Sequence, residues 1–166
     1  GWKDIYVTTG YYREVTDRDF INYDANFLQK NNREMTFQEL AKQLPVKKTQ
    51  NYAFKNNTDL TFSDASTEWG LNEVSVSNGA AYADLDNDGD LDLIACNTNE
   101  PVFLYENTTN GNQFVQVKLV GESNKFGIGA KLTLKTNKGE QYLENYQTRG
   151  YNSSVAPVLN FGLGEA

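Results

Sequence analysis

The spacing of apolar positions along the chain changes period twice. Residues 5–8 form a short β-prone run, closed by Thr9 and Gly10. Thr16 then offers a helix cap, with Asp19 three residues on, and Phe20, Ile21, Phe27 and Leu28 fall on one helical face. Thr36 and Glu39 form a capping-box pattern, Phe37, Leu40 and Leu44 share a second face, and Pro45 stops that helix. Residues 10–50 are therefore predicted as a two-helix insertion in a β protein. Strand character returns at 51–56, at 60–63, and repeatedly from 80 to 161, where Val115, Val117 and Leu119 alternate, as do Leu132 and Leu134. Polar clusters at 56–59 and 107–112 are predicted turns, and Pro101 and Pro157 stand at strand edges, where a missing N–H is tolerated.

One unit recurs along the chain. Gly1-Trp2-Lys3-Asp4-Ile5-Tyr6-Val7 matches Gly89-Asp90-Leu91-Asp92-Leu93-Ile94-Ala95, pairing Gly1 with Gly89 and Asp4 with Asp92. Downstream, Phe54-Lys55-Asn56 matches Tyr105-Glu106-Asn107, and Phe62 matches Phe114 with one residue of slippage. Two copies of a β unit are thus expected, the first carrying the helical insertion between its strands. Such repeats usually build a propeller or an array, and two copies fall short of the ~4–8 blades that close a ring. The chain, which opens without a methionine, is expected to be the C-terminal end of something larger and to begin inside a loop.

Composition removes several chemistries. The 166 residues hold 22 acidic and 15 basic side chains, no histidine and one cysteine, with a net charge of -7. A Ser-His-Asp triad, a histidine base, a His-liganded zinc or haem and a paired-cysteine framework all lack their parts. The negative balance opposes binding to phosphate backbones, so no nucleic-acid partner is expected. No apolar stretch approaches the ~20 residues a membrane helix needs, which leaves membrane anchoring to a segment outside this chain. Ten Tyr and nine Phe interleaved with Gly, Asn, Asp and Thr fit short, turn-rich strands and not a helical bundle. Cys96 lies in an apolar run with no histidine to activate it, and is expected to be a buried, inert thiol.

The sharpest motif is Asp84-Leu85-Asp86-Asn87-Asp88-Gly89-Asp90-Leu91-Asp92. Carboxylates stand at its positions 1, 3, 5, 7 and 9, and glycine at 6, where the backbone must turn sharply. Ca²⁺ takes six to eight hard oxygen ligands at ~2.3–2.6 Å in a forgiving geometry, and alternate side chains of a curled loop supply them. Asp84, Asp86, Asp88 and Asp92 are the expected side-chain ligands. Asp90 is expected to contribute its carbonyl and to leave its side chain outside. Five aspartates in nine residues repel one another unless a cation lies among them, so the metal would be structural. A metal-free solvated turn has no need of this spacing, and Mg²⁺ prefers stricter octahedra. An EF-hand would need a bidentate Glu at position 12, where Ala95 stands, and helical flanks in place of the apolar strand-length runs 80–83 and 93–96.

Residues 79–93 resemble an FG-GAP/VCBS repeat, the integrin-α-like propeller blade whose inter-strand loop holds Ca²⁺. Residues 1–4 resemble the tail of a preceding such loop whose first five positions are cut away, which implies that Asp4 is the ninth-position ligand of a site this chain cannot complete. Further on, 123–132, 147–151 and the closing Asn160-Phe161-Gly162-Leu163-Gly164 are similar to the ASPIC/UnbV domain that follows such repeats, with Lys125 where that family often has Arg. On the residues alone, this segment can equally be a small antiparallel sheet that only packs. The resemblances imply a mainly β fold: one to two blades of a calcium-binding β-propeller over 1–112, with the helical insertion at about 10–50, then a small antiparallel β domain over 113–166. They also imply a bacterial, secreted or surface-anchored protein.

The expected function is a non-catalytic, calcium-stabilised interaction module with a protein partner, since long insertions on a rigid β frame serve recognition. Two alternatives stand beside it. One is a glycan-binding or glycan-processing accessory protein that would use Trp2, Trp69, Tyr11 and Tyr12 to stack on sugar rings, although packing in a β core is the commoner use of such residues. The other is a subunit of a membrane-associated assembly.

Overall fold

The computed structural model describes residues 2–14, 18–44, 46–109, 111 and 113–164. Strand accounts for 41% of the chain and helix for 12%, which makes it mainly β. The first copy of the repeat is a three-stranded antiparallel sheet, β1 (Ile5–Val7), β3 (Tyr52–Asn56) and β4 (Phe62–Asp64), in the order β1-β3-β4. The second copy is β6 (Ser77–Ala83), β7 (Asp92–Asn97) and β8 (Phe103–Tyr105), in the order β6-β7-β8. Two short strands, β2 (Thr49–Gln50) and β5 (Val74–Ser75), pair between them.

The internal match holds at single-residue register. Ile5 faces Phe54, Tyr6 faces Ala53 and Val7 faces Tyr52. In the second copy Leu93 faces Tyr105, Ile94 faces Leu104 and Ala95 faces Phe103, position for position. The copies part company at the next strand. β4 pairs with β3, whereas β9 (Gln113–Lys118) pairs with β14 (Val158–Gly164). The remaining strands are a hairpin of β10 (Lys131–Thr136) with β11 (Gly139–Glu144), and the short pair β12 (Thr148–Gly150) with β13 (Ser153–Ser154).

Apart from Leu44, Leu159 and Phe161, the interior is built from small and polar side chains. Ala53, Val76 and Ala95 are buried together with Asn51, Ser66, Ser75 and Ser77. Buried polar groups cost free energy unless they are paired, and these are paired. The Asn51 Nδ2 group donates to Ser77 Oγ at 2.8 Å, Ser77 Oγ donates to Asn97 Oδ1 at 2.7 Å, and the Thr9 N–H reaches Asn51 Oδ1 at 3.1 Å. One chain of hydrogen bonds thus joins the end of β1 and the start of β3 to the start of β6 and the end of β7.

The insertion holds both expected helices, α1 (Arg18–Asn31) and α2 (Phe37–Gln43). Thr16 and Pro45, assigned as cap and stop, lie outside the described residues, as do the side chains of Phe37 and Leu40. The capping box at α2 forms reciprocally: the Thr36 N–H donates to Glu39 Oε2 at 2.9 Å, and the Glu39 N–H to Thr36 Oγ1 at 3.4 Å. Arg33 adds two parallel bonds to the same carboxylate, at 2.9 and 2.8 Å. Its guanidinium, with the Thr36 N–H second, holds the Glu39 carboxyl down to about 2. The apolar face predicted for α1 forms but is not enclosed: Phe20 and Phe27 are half-buried, Ile21 and Leu28 exposed. The base of the insertion is closed by Leu44, whose carbonyl accepts from Arg13, and by a bridge between Arg13 and Val46.

Two further expectations are corrected. Cys96 is exposed, because Ala95 turns into the core and strand alternation sends its neighbour outward. Leu60, expected to open a strand, is fully exposed with φ 71 and belongs to the turn before β4.

Candidate metal centre

The acidic loop joins β6 to β7 with no helix on either side, as its apolar flanks predict. Three short backbone contacts curl it. The Asp88 N–H donates to Asp86 Oδ1 at 3.2 Å, the Asp90 N–H to Asp88 Oδ1 at 3.1 Å, and the Gly89 N–H to Asp84 Oδ2 at 3.2 Å. Asn87 and Gly89 take positive φ, 65 and 95. At Gly89 a side chain is blocked twice over, since a Cβ there would also lie 1.7 Å from a ring carbon of Phe114.

This curl gathers carboxylates. One oxygen from each of Asp84, Asp86 and Asp88 lies within 4.8 Å of the others. Oxygens that share one Ca²⁺ stand at most about twice the Ca–O distance apart, ~4.6–5.2 Å, so the spacing fits. Asp84 Oδ1 and both oxygens of Asp90 are shielded from solvent and accept no hydrogen bond among the described residues. Burial, reinforced by Asp88 and Asp92, pushes the Asp90 carboxyl up to about 6. A group raised in this way costs stability in its ionised form as pH climbs from the ordinary carboxylate range through 6, unless a cation offsets the charge.

The last two aspartates stand apart from that group of three. The Asp90 carboxylate lies outside it and is withdrawn from solvent. Asp92 is 3% exposed, and each of its oxygens already takes a backbone N–H: Leu85 at 3.0 Å on Oδ2 and Asn107 at 2.9 Å on Oδ1. It locks the two ends of the loop to the turn after β8. The first copy carries the same lock, in which Asp4 Oδ1 accepts the Asn56 N–H at 2.8 Å. In both copies the asparagine side chain donates to the carbonyl just before the aspartate, Asn56 to Lys3 and Asn107 to Leu91. It also accepts an N–H two residues on, from Thr58 and Thr109.

Three residues of the loop's setting were missed by sequence reasoning. Gln116 Nε2 donates to Asp84 Oδ2 at 2.7 Å, Asn160 Nδ2 donates to the Gly89 carbonyl at 3.2 Å, and Phe114 lies against Gly89. They come from β9 and β14, so the C-terminal sheet buttresses the loop. The alternation of Val115 and Val117 was the available signal, since it places Phe114 and Gln116 together on the opposite face. Trp2, Trp69 and Tyr11 are exposed and Tyr12 is half-buried, so the packing use expected of these aromatics does not hold for the first three.

Residues 120–166 match the family model described as ASPIC and UnbV, beginning just after β9. No curated protein and no solved structure matches the chain. Among the described residues no helix is long and apolar enough to cross a membrane.

Proposed function

We propose that the chain is a non-catalytic, Ca²⁺-stabilised β module that presents its loops and helical insertion to a protein partner. One observation carries the reading: the carboxylates of Asp84, Asp86 and Asp88 converge, and the shielded Oδ1 of Asp84 accepts no hydrogen bond among the described residues, as do both shielded oxygens of nearby Asp90. Three negative groups in that space, with a fourth close by, are an unfavourable arrangement alone and a favourable one around a hard dication. Asp84, Asp86 and Asp88 are the carboxylate ligands proposed, with Asp90 beside them and Asp92 fixing the loop. On this reading 1–112 are blades of an FG-GAP/VCBS-like propeller, completed by further copies of the unit. The C-terminal ASPIC/UnbV segment then serves as a buttress for the last metal loop. A bacterial, secreted or cell-surface setting agrees with a Ca²⁺ site.

The test is a melting curve of the chelator-stripped chain with and without Ca²⁺. At a hundredfold excess over the dissociation constant, binding adds ~2.7 kcal/mol, and a domain of this size should melt roughly 5–10 °C higher. Asp86→Ala removes the shift. An equal melting temperature with and without Ca²⁺ in the unaltered chain contradicts the proposal. A second reading, glycan recognition, is favoured by the exposure of Trp2, Tyr11 and Tyr151. It requires glycan-array binding that is lost on replacing these rings.

A further inference from the structure

Two amides of the C-terminal sheet hold the acidic loop, and they stand side by side: Gln116 on β9 faces Asn160 on β14 in the register of that strand pair. Gln116 Nε2 donates to Asp84 Oδ2 at 2.7 Å, and Asn160 Nδ2 donates to the Gly89 carbonyl at 3.2 Å. A carboxylate and a carbonyl can only accept, so each amide must turn its nitrogen to the loop. The effect on Asp84 is one-sided. Its Oδ2 takes two donors, Gln116 and the Gly89 N–H, whereas its Oδ1 is shielded from solvent and accepts nothing among the described residues. The carboxylate that converges with Asp86 and Asp88 is thereby fixed in orientation, with one oxygen committed to the protein and the other uncommitted. Asn160 repeats the pattern: with its nitrogen on Gly89, its Oδ1 is shielded and likewise has no donor among the described residues. Phe114, two residues before Gln116 and so on the same strand face, lies against Gly89.

We propose that Gln116 and Asn160 are positioning residues for the cation of the acidic loop, so that the C-terminal strand pair sets the loop's Ca²⁺ affinity and ion occupancy in return tightens the seat of that pair. The inference rests on the calcium reading and adds to it two residues from outside the loop. A neutral amide suits the task. It orients a carboxylate without cancelling the charge that the cation needs, whereas a lysine at the same place would supply a charge of its own and compete with the ion. Holding Asp84 and the turn at Gly89 in place before the ion arrives lowers the ordering cost of binding. Linkage makes the coupling reciprocal: whatever the strand pair contributes to ion affinity, the ion returns to the docking of the strand pair.

The experiment titrates Ca²⁺ calorimetrically into the full, chelator-stripped chain and its variants. Gln116→Leu keeps the bulk and removes the donor, and should bind the ion ~10–100-fold more weakly, the range for losing an outer contact to a metal ligand. Asn160→Ala should weaken it in the same direction. Gln116→Lys should move two readouts oppositely, with a higher melting temperature in chelator, because the ammonium relieves the carboxylates, and weaker Ca²⁺ binding. A brace that only packs would not produce that opposition. In the unaltered chain, Ca²⁺ should slow amide exchange at residues 113–118 and 158–164 as well as at 84–92. Where Gln116→Leu does not fold, Gln116→Lys and the exchange profile of the unaltered chain decide. Variants that bind Ca²⁺ as tightly as the unaltered chain, a Gln116→Lys chain whose two readouts move together, or protection confined to the loop overturn the proposal and leave the calcium reading in place. An unaltered chain that takes up no Ca²⁺ overturns both.

Discussion

The first and second copies of the repeat share a register and an aspartate–asparagine lock, and in the second copy further carboxylates surround the lock. The ninth-position aspartate is therefore a backbone device first. It ties a strand's start to a turn in both copies, and in the second copy Asp84, Asp86, Asp88 and Asp90 add a charge problem to that lock. A second difference concerns the outer strand. In the first copy β4 stays on β3 and Ala53 is buried beneath it, with Ser66 Oγ accepting the Ala53 N–H at 2.9 Å. In the second, β9 joins β14, and Leu104, the counterpart of Ala53, is 64% exposed. The strand lost to the second sheet is the one that brings Phe114 and Gln116 against the metal loop.

If the lock and the cation site are separate devices, their variants should behave differently. Asp92→Ala leaves two N–H groups without their acceptor in a buried setting, and should cost about 3 kcal/mol in chemical denaturation. The loss should be nearly equal in chelator and in Ca²⁺, and a loss seen only in Ca²⁺ would merge the two roles. Gly89→Ala forces a side chain onto positive φ and against Phe114, and should cost about 1–2 kcal/mol by the same measurement. Pairing it with Phe114→Ala relieves the contact but not the backbone strain. Asp4→Ala removes the exposed lock of the first copy and should cost only about 1 kcal/mol, with no change in Ca²⁺ binding. The smallest effect belongs to the insertion that only the first copy carries. Glu39 has a depressed pKa, so its capping contribution is complete above pH 4.5 and lost as pH falls through about 2. Amide exchange at Thr36 should accelerate only in that window, and Glu39→Gln should flatten the dependence.

The repeat, the capping box and the acidic loop were legible because each is written in residues that act on their own backbone. Gly89 takes a conformation few residues accept, Asn56 and Asn107 fold their own turns, and Thr36 with Glu39 closes its own helix end. Contacts distant in sequence were not legible. Nothing local says that β9 pairs with β14, that Asn160 holds the Gly89 carbonyl, or that α1 leaves Ile21 and Leu28 in solvent, because these depend on which surfaces the rest of the chain covers. The exposure of Cys96 was readable from alternation about Ala95, and it was obscured by the apolar character of the run as a whole.

The comparison of the copies comes to rest on a stoichiometry. Calorimetric titration of Ca²⁺ into the chelator-stripped chain should show one ion per chain, abolished by Asp86→Ala and untouched by Asp4→Ala. No saturable heat, or a site that survives Asp86→Ala, would contradict the account.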